Sequence, residues 1–295
     1  MRPSPTLRAI SPGIAAPEGA LGQRAALQAF IAHHARLFVL TGAGCSTESG
    51  IPDYRDAAGG WKRPQPVMLQ AFMSDPHVRR RYWARSLIGW SRFRRARPNA
   101  AHLALAELER SGRIELLVTQ NVDRLHQCAG SGAVVDLHGR LDRVRCMECE
   151  RLIDRGAFQL ELLERNPEWA GFEAAEAPDG DADLEGRDFS GFDVPACHNC
   201  SGVLKPHVVF FGERVPPHRV ERAMRALGRA DALLVVGSSL MVYSGYRFAE
   251  AAARAGKPVA AVNLGRTRAD ELLALKIEQP CGEALAGAAH GEIVA

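Results

Sequence analysis

The chain has 295 residues, 46% hydrophobic and 24% charged, with a formal net charge of +3, enough to bury a full core as one large domain or a domain with a module. So small a charge gives no global argument for nucleic acid or a membrane surface as the main partner, and no apolar run is long enough to span a bilayer. Seven cysteines, four of them in two Cys-x-x-Cys knuckles, point away from a disulfide framework and toward a metal site.

Residues 1–21 carry Arg2, Arg8 and scattered prolines but no apolar segment. They read as a disordered leader, with a degenerate organelle-targeting peptide as the alternative, and the cytoplasm is the expected location. From about Gly22 to His34 the spacing of Ala25, Leu27, Ala29, Phe30 and Ile31 predicts a helix, on which the adjacent His33 and His34 diverge as surface or packing residues. Leu37 to Leu40 is short and branched enough to be a buried strand. It breaks into Thr41-Gly42-Ala43-Gly44-Cys45-Ser46, where the glycines let a backbone approach a ligand closely, although a plain tight turn explains them as well. A helix with its first N–H groups toward phosphate is expected next. The third glycine, Gly50, falls outside the usual dinucleotide spacing. Pro52 prevents smooth continuation through Ile51-Pro52-Asp53-Tyr54-Arg55, so Asp53 and Arg55 either reach a nucleotide or pair with each other, and Gly59-Gly60-Trp61 reads as a mobile flap.

Phe72 to Arg97 interleaves arginines with aromatics. An amphipathic helix with its arginines in water accounts for this, with nucleic acid as the competing reading. On that helix Tyr82 and Arg85 share a face, and together could hold a carboxylate. A helix from Pro98 to Ser111-Gly112 leads to a second buried strand, Leu116 to Val118, which exits into Thr119-Gln120-Asn121-Val122-Asp123. A third, Val134 to Leu137, ends on His138-Gly139. Strands alternating with helices and exiting into polar residues predict an α/β fold: a Rossmann-like parallel sheet, helices on both faces, the site at the strand carboxyl ends. Cys146 to Cys200 interrupts this as a small zinc-binding module containing an irregular excursion, Glu173 to Asp193. The α/β pattern resumes at Lys205 to Glu213, with strands ending on Gly237-Ser238-Ser239 and Asn263-Leu264-Gly265. Three such strand-exit loops suit one extended nucleotide.

Four thiolates fill a tetrahedral zinc completely, so Cys146, Cys149, Cys197 and Cys200 are expected to be structural ligands, with His198 a loop residue between them. Cys45, Cys128 and Cys281 are then unpaired. His138 at a strand exit is the natural general base; a satisfied core histidine is the alternative, and the neighbouring exit with Asn121 and Asp123 favours the base. There is no Gly-x-Ser-x-Gly elbow and no His-Glu-x-x-His motif.

Gly42-Ala43-Gly44-Cys45-Ser46, Gly50 to Arg55, Thr119 to His126, His138-Gly139, the paired knuckles, Lys205 to Glu213, Gly237 to Leu240 and Val262 to Gly265 together resemble the sirtuin family, in the family's order from about Gly22 to the C-terminus. Tyr82-Trp83-Ala84-Arg85, Phe210 to Glu213 and Tyr243-Ser244-Gly245-Tyr246 resemble most its class II branch of mitochondrial lipoamidase and ADP-ribosyltransferase type. The resemblance implies one catalytic domain over 22–295, Rossmann-like in 22–145 and 201–295 with the zinc module at 146–200. It implies NAD as co-substrate, one structural Zn2+, and transfer of an acyl group from protein lysine to ADP-ribose with release of nicotinamide. By the same resemblance His138 takes a proton from a ribose hydroxyl, Asn121 and Asp123 orient nicotinamide and ribose, and Gln120 holds the ribose. The NAD contacts it implies are Gly42, Ala43, Gly44, Asp53, Tyr54, Arg55, Val122, Gly237, Ser238, Ser239, Asn263, Leu264, Gly265 and Cys281. Phe211, Gly212, Glu213, Leu240 and Val242 would pair with the substrate backbone, and Tyr82 with Arg85 would hold an acidic acyl group. Two departures stand out: Cys45, where the family often has alanine or isoleucine, and Ser244, where many members have proline. Mono-ADP-ribosyl transfer on the same NAD site and a non-catalytic NAD-sensing module are the alternatives. Partners are acyl-lysine proteins, not nucleic acid or membrane; the sequence gives neither the preferred acyl group nor the oligomeric state.

Overall fold

The computed structural model describes residues 19–62, 66–172, 176–177, 181–182, 184 and 186–288. Residues 1–18 of the expected leader and part of the 173–193 excursion lie outside them. In chain order the helices are α1 (Ala20–His33), α2 (Leu69–Ser74), α3 (Pro76–Phe93), α4 (Ala100–Arg110), α5 (Leu125–Cys128), α6 (Arg155–Arg165), α7 (Pro217–Arg229), α8 (Tyr243–Arg254) and α9 (Cys281–Leu285). The strands are β1 (Leu37–Thr41), β2 (Ile114–Thr119), β3 (Val134–Asp136), β4 (Gly139–Cys146), β5 (Leu152–Asp154), β6 (Glu176–Ala177), β7 (Asp181–Ala182), β8 (Leu204–Val208), β9 (Ala232–Val236), β10 (Val259–Val262) and β11 (Leu275–Ile277).

Six strands form one parallel sheet in the order β11-β10-β9-β1-β2-β3. Alternate residues of each strand face opposite sides. Leu37, Val39, Leu234, Val236, Ala260 and Val262 pack with α1, α4 and α9, while Phe38, Leu40, Leu233, Val235 and Val259 pack with α7 and α8. Both faces are therefore apolar, as a covered parallel sheet requires, and each large aliphatic side chain so buried contributes about 1.5–3 kcal/mol. The strand order reverses between β1 and β9, because the chain works outward through β2 and β3 before returning to build β9, β10 and β11 on the other flank. In open α/β sheets the crevice beyond such a reversal is where ligands bind.

A second, antiparallel sheet, β5-β4-β8, packs with α3 and α6 around its own core of Trp83, Leu87, Phe158, Leu162 and Leu204. The Lys205 strand, expected to resume the parallel pattern, pairs instead with β4 in this small sheet. The sheet thus draws on residues 139–146 and 204–208, on both sides of the expected 146–200 insert. α3 starts on Pro76, with the Asp75 side chain accepting from His77 N at 2.8 Å, a proline-led, capped start. It buries Trp83, Ala84, Leu87, Ile88 and Trp90. Against it sits the buried guanidinium of Arg155, 5.0 Å from the Trp90 ring centre, donating to Ser86 O at 3.2 Å and to its Oγ at 3.1 Å. Burial lowers Arg155 to about 9.

Candidate active site

Paired residues put the carboxyl ends of the central strands level: Thr41 lies opposite both Thr119 and Val236, and Val236 opposite Val262. Gly42, Gln120, Gly237 and Asn263 therefore leave the sheet side by side. The β1 and β9 exits are packed backbone on backbone. Gly44 N donates to Gly237 O at 2.8 Å. A Cβ on Gly237 would lie 2.1 Å from Cys45 N, and one on Gly42 2.7 Å from Ser238 Cβ. The expected helix after the glycine loop is absent; two 3-10 turns, Ala43–Cys45 and Thr47–Ser49, stand there and end on Gly50 at φ 84°. Docking against Gly237 and Pro52 downstream leaves no room for a longer helix.

Beyond β2 the polar residues form one network. Asn121 Nδ2 donates to Gly42 O and to Ser46 Oγ, each at 3.0 Å, and Ser46 Oγ donates to Asp123 Oδ2 at 2.7 Å. The other carboxylate oxygen of Asp123 accepts from Leu125 N at 2.9 Å and starts α5. Burial raises Asp123, and its bonds from Ser46 and Leu125 pull it back. Gln120 Nε2 donates to Ser238 Oγ at 2.6 Å, joining the β2 and β9 exits. The Val122 side chain is in the small module's core, while its carbonyl accepts from Leu141 N.

His138 follows β3, and its tautomer can be assigned from its partners. Nδ1 lies 3.0 Å from Gln120 O, an acceptor only, so Nδ1 carries the proton; Nε2, 2.8 Å from Ser244 Oγ, is left with the lone pair. Burial pushes His138 down to about 4, with Arg219 and Arg247 adding to the effect and the Gln120 bond opposing it. The ring is neutral at neutral pH, the state a base needs. Ser244 stood out in the sequence only as a departure from a family pattern, and its contact with His138 was missed: it stands on the first turn of α8, 106 residues from the imidazole, and no local pattern marks the contact. Ser46 was within the glycine motif but given no role of its own.

Asp53 and Arg55 do not pair with each other. Asp53 binds Lys62, and Arg55 stacks 4.0 Å over Trp61 and donates to Gly59 O at 2.7 Å. The expected flap is a hydrogen-bonded turn, closed by Lys62 N on Tyr54 O and Gly59 N on Asp56 O. Gly265, at φ 82°, sits so near that a Cβ would lie 2.4 Å from Ala57 O, and Asn263 Nδ2 holds Leu264 O at 3.0 Å. Leu264 is exposed and Ser239 half-buried. Cys281 is buried with Sγ 3.7 Å from Gly44 O, and Glu48 caps the start of α9 through Gly282 N at 2.7 Å.

Of the expected acyl-substrate residues, Tyr82 closes a triangle of rings with Phe72 and Phe210, which are 5.2 Å from each other and 5.4 and 5.3 Å from it, and Arg85 is half-buried one turn along α3. Phe211 faces Trp61, and its carbonyl accepts from Leu69 N at 2.8 Å. Gly212 is exposed. The Glu213 carboxylate is turned inward, taking Lys205 Nζ at 2.9 Å and Phe210 N at 2.8 Å, so any substrate contact there falls to the backbone. Leu240 is buried at φ 56°. The Val242 carbonyl accepts from Gly245 and Tyr246 in the first turn of α8.

Cys146, Cys149, Cys197 and Cys200 offer four sulfurs all within 4.8 Å of one another. Each knuckle closes with the following residue left-handed, Glu150 at φ 61° and Ser201 at φ 58°, and pairing of Cys146 with Leu204 draws the two turns together. This donor set fits tetrahedral zinc. His198 points away to Glu161 at 3.1 Å.

The chain matches the Sir2 family over residues 42–244. It is 69% identical over 261 residues to the NAD-dependent protein deacetylase of Xanthomonas campestris pv. campestris (strain 8004), covering 88% of this chain and 89% of that protein. To the protein of the same description from Bordetella bronchiseptica it is 64% identical, covering 88% and 95%. A solved complex of Sir2 with a p53 peptide and NAD+ has a TM-score of 0.71 and 32% identity, covering 91% of this chain and 98% of that one.

Proposed function

The chain belongs to the Sir2 family, and from this we propose that its strand-exit crevice removes acyl groups from protein lysine with His138 as the base. It is an NAD-dependent protein deacylase, for which the cytoplasm is the setting we infer. NAD supplies the ribose carbon that receives the acyl group as nicotinamide leaves. The observation that carries the role of His138 is its tautomer: Nδ1 is fixed on Gln120 O, and Nε2 is a neutral lone pair facing the Ser244 hydroxyl. That nitrogen takes the proton from a ribose hydroxyl, a transfer worth about 10²–10⁴ in rate. Gly42, Ala43, Gly44, Gly237, Ser238 and Ser239 supply the close backbone approach that the diphosphate needs, with Asp53, Tyr54 and Arg55 at the entrance and Asn263, Leu264, Gly265 and Cys281 toward the adenosine. Asn121 and Asp123, with Val122 between them, hold the nicotinamide end, and Gln120 the ribose. The four cysteines hold a structural zinc that fixes β4 against β8.

A panel of acyl-lysine peptides with NAD, read by mass spectrometry, tests this. Nicotinamide and O-acyl-ADP-ribose should appear together, and only with acyl peptide; His138→Tyr should lose both by at least about a hundredfold. ADP-ribose on protein in place of O-acyl-ADP-ribose would favour mono-ADP-ribosyl transfer instead. For the acyl group, Tyr82 and Arg85 on one face of α3 support a preference for an acidic acyl chain over acetyl through a charge-assisted bond. Succinyl- or glutaryl-lysine should be turned over faster than acetyl-lysine by wild type and slower by Arg85→Met; an unchanged ratio rejects the preference.

A further inference from the structure

We propose that Cys45, His102 and His126 form a second metal site, distinct from the four-cysteine cluster, that takes one zinc ion directly beneath the glycine loop. One ligand atom from each of the three lies within 4.8 Å of the other two. All three side chains are at most 1% exposed. They come from three elements: the 3-10 turn after β1, the first turn of α4, and α5. The two imidazoles lie 4.7 Å apart.

The hydrogen bonds leave one buried ring nitrogen there without a partner and a second with only a distant one. Thr41 Oγ1 spends its proton on Thr119 Oγ1 at 2.9 Å, so His126 Nε2, also 2.9 Å from Thr41 Oγ1, is the donor in that pair. The proton of His126 is then on Nε2, and Nδ1 is bare; this buried nitrogen has no partner. His102 Nδ1 lies 2.9 Å from Asn99 Oδ1 and also takes the Asn99 N–H at 3.3 Å, so Nδ1 is engaged by the Asn99 cap and Nε2 is the nitrogen left for an ion. The nearest group to that nitrogen is Ser46 Oγ at 3.5 Å, whose proton already goes to Asp123. A buried nitrogen without a partner is costly, whereas two imidazoles and a thiol are a donor set that suits zinc. Burial keeps both rings neutral, with His102 pushed down to about 4 and His126 well down, so only the thiol proton has to leave. Burial, with Cys281, Asp123 and Glu48 adding to it, holds the Cys45 thiol well above its ordinary range, so the ion has to displace that proton; one thiolate on Zn2+ then leaves a single positive charge. Ser46 Oγ or a water completes four-coordination.

The site is coupled to the loop above it. Cys45 N donates to Gly42 O at 2.9 Å, the carbonyl that Asn121 also holds, and Ser46 is the next residue. An ion on Cys45 Sγ sets the position of both, so filling the site slows turnover; this coupling rests on the NAD reading given above, while the metal count does not.

The full-length protein, equilibrated against a weak chelator and titrated with Zn2+, is expected to hold one more ion by elemental analysis than Cys45→Ala. Co2+ in its place should add a thiolate-to-cobalt absorption band in wild type that the variant lacks. His126→Gln is a second variant, with thermal midpoints confirming that each is folded. With the extra ion bound, wild-type deacylation should fall at least fivefold while Cys45→Ala is unaffected. Equal ion counts in folded wild type and both variants, or identical cobalt spectra, would overturn the site; a one-ion difference with unchanged turnover would overturn the coupling to the loop.

Discussion

Ser244 illustrates how one side chain can set the behaviour of another. Its hydroxyl donates to His138 Nε2 at 2.8 Å, stabilising the unprotonated ring, so removing it raises the pKa of His138 from its depressed value near 4. Ser244→Ala is expected to lower kcat a few-fold and to move the acid limb of kcat/KM to higher pH, since one neutral hydrogen bond is worth about 0.5–1.5 kcal/mol. An acid limb that does not move in a pH–rate series rejects this. At this scale the sequence placed His138, Asn121 and Asp123 at neighbouring strand exits, and the spacing of two Cys-x-x-Cys knuckles marked the four cysteines that the fold brings together. It was silent where a role depends on a distant partner. Ser244 was marked only as a departure from a family pattern, and the inward carboxylate of Glu213 is explained by the buried Lys205 and the Phe210 N–H that it holds.

The loop that follows β1 and the loop that follows β9 are a single packed unit, and glycine is required for contact more than for flexibility. At Gly237 both requirements apply, a φ of 62° and a Cβ that would collide with Cys45 N at 2.1 Å. Gly237→Ala therefore pushes the two exits apart. A rise of at least tenfold in KM for NAD, with a stability loss of about 1–3 kcal/mol by denaturant titration, is expected; an unaltered KM would show that the two loops move independently. The alternation of apolar strands and polar exits made the parallel sheet legible, because each strand is buried on both faces and reads as a continuous apolar run. The 3-10 turns after β1 were not, since the pull toward a helix start is local and the docking against Gly237 is not. Nor was the pairing of β8 with β4. Strand character is visible in a sequence, but the choice of partner is made by what else reaches the same edge.

Taken whole, four histidines among the described residues are held in their neutral form. His102, His138 and His207 are lowered to about 4 and His126 well below its ordinary value, in each case mainly by burial. In the unfolded chain these rings titrate near 6.5. The folded state therefore binds fewer protons than the unfolded one between those values. Its stability is intact above about 6.5 and is lost as the pH falls toward 4, at about 1.4 kcal/mol per unit of difference for each ring. Denaturant midpoints at pH 7.5, 6 and 5 should drop in that order, and less steeply in His102→Gln; a flat profile would mean that the rings are not held neutral. The same wholeness bears on how the chain is made. β1, at the centre of the sheet, has β2 on one flank and β9 on the other, with Leu37 facing Ala232 across most of the polypeptide. As synthesis proceeds from the amino end, one side of that central strand waits without its neighbour through the emergence of the entire small module. An apolar ribbon left open for so long is the part of the nascent chain most exposed to aggregation until its second neighbour is made.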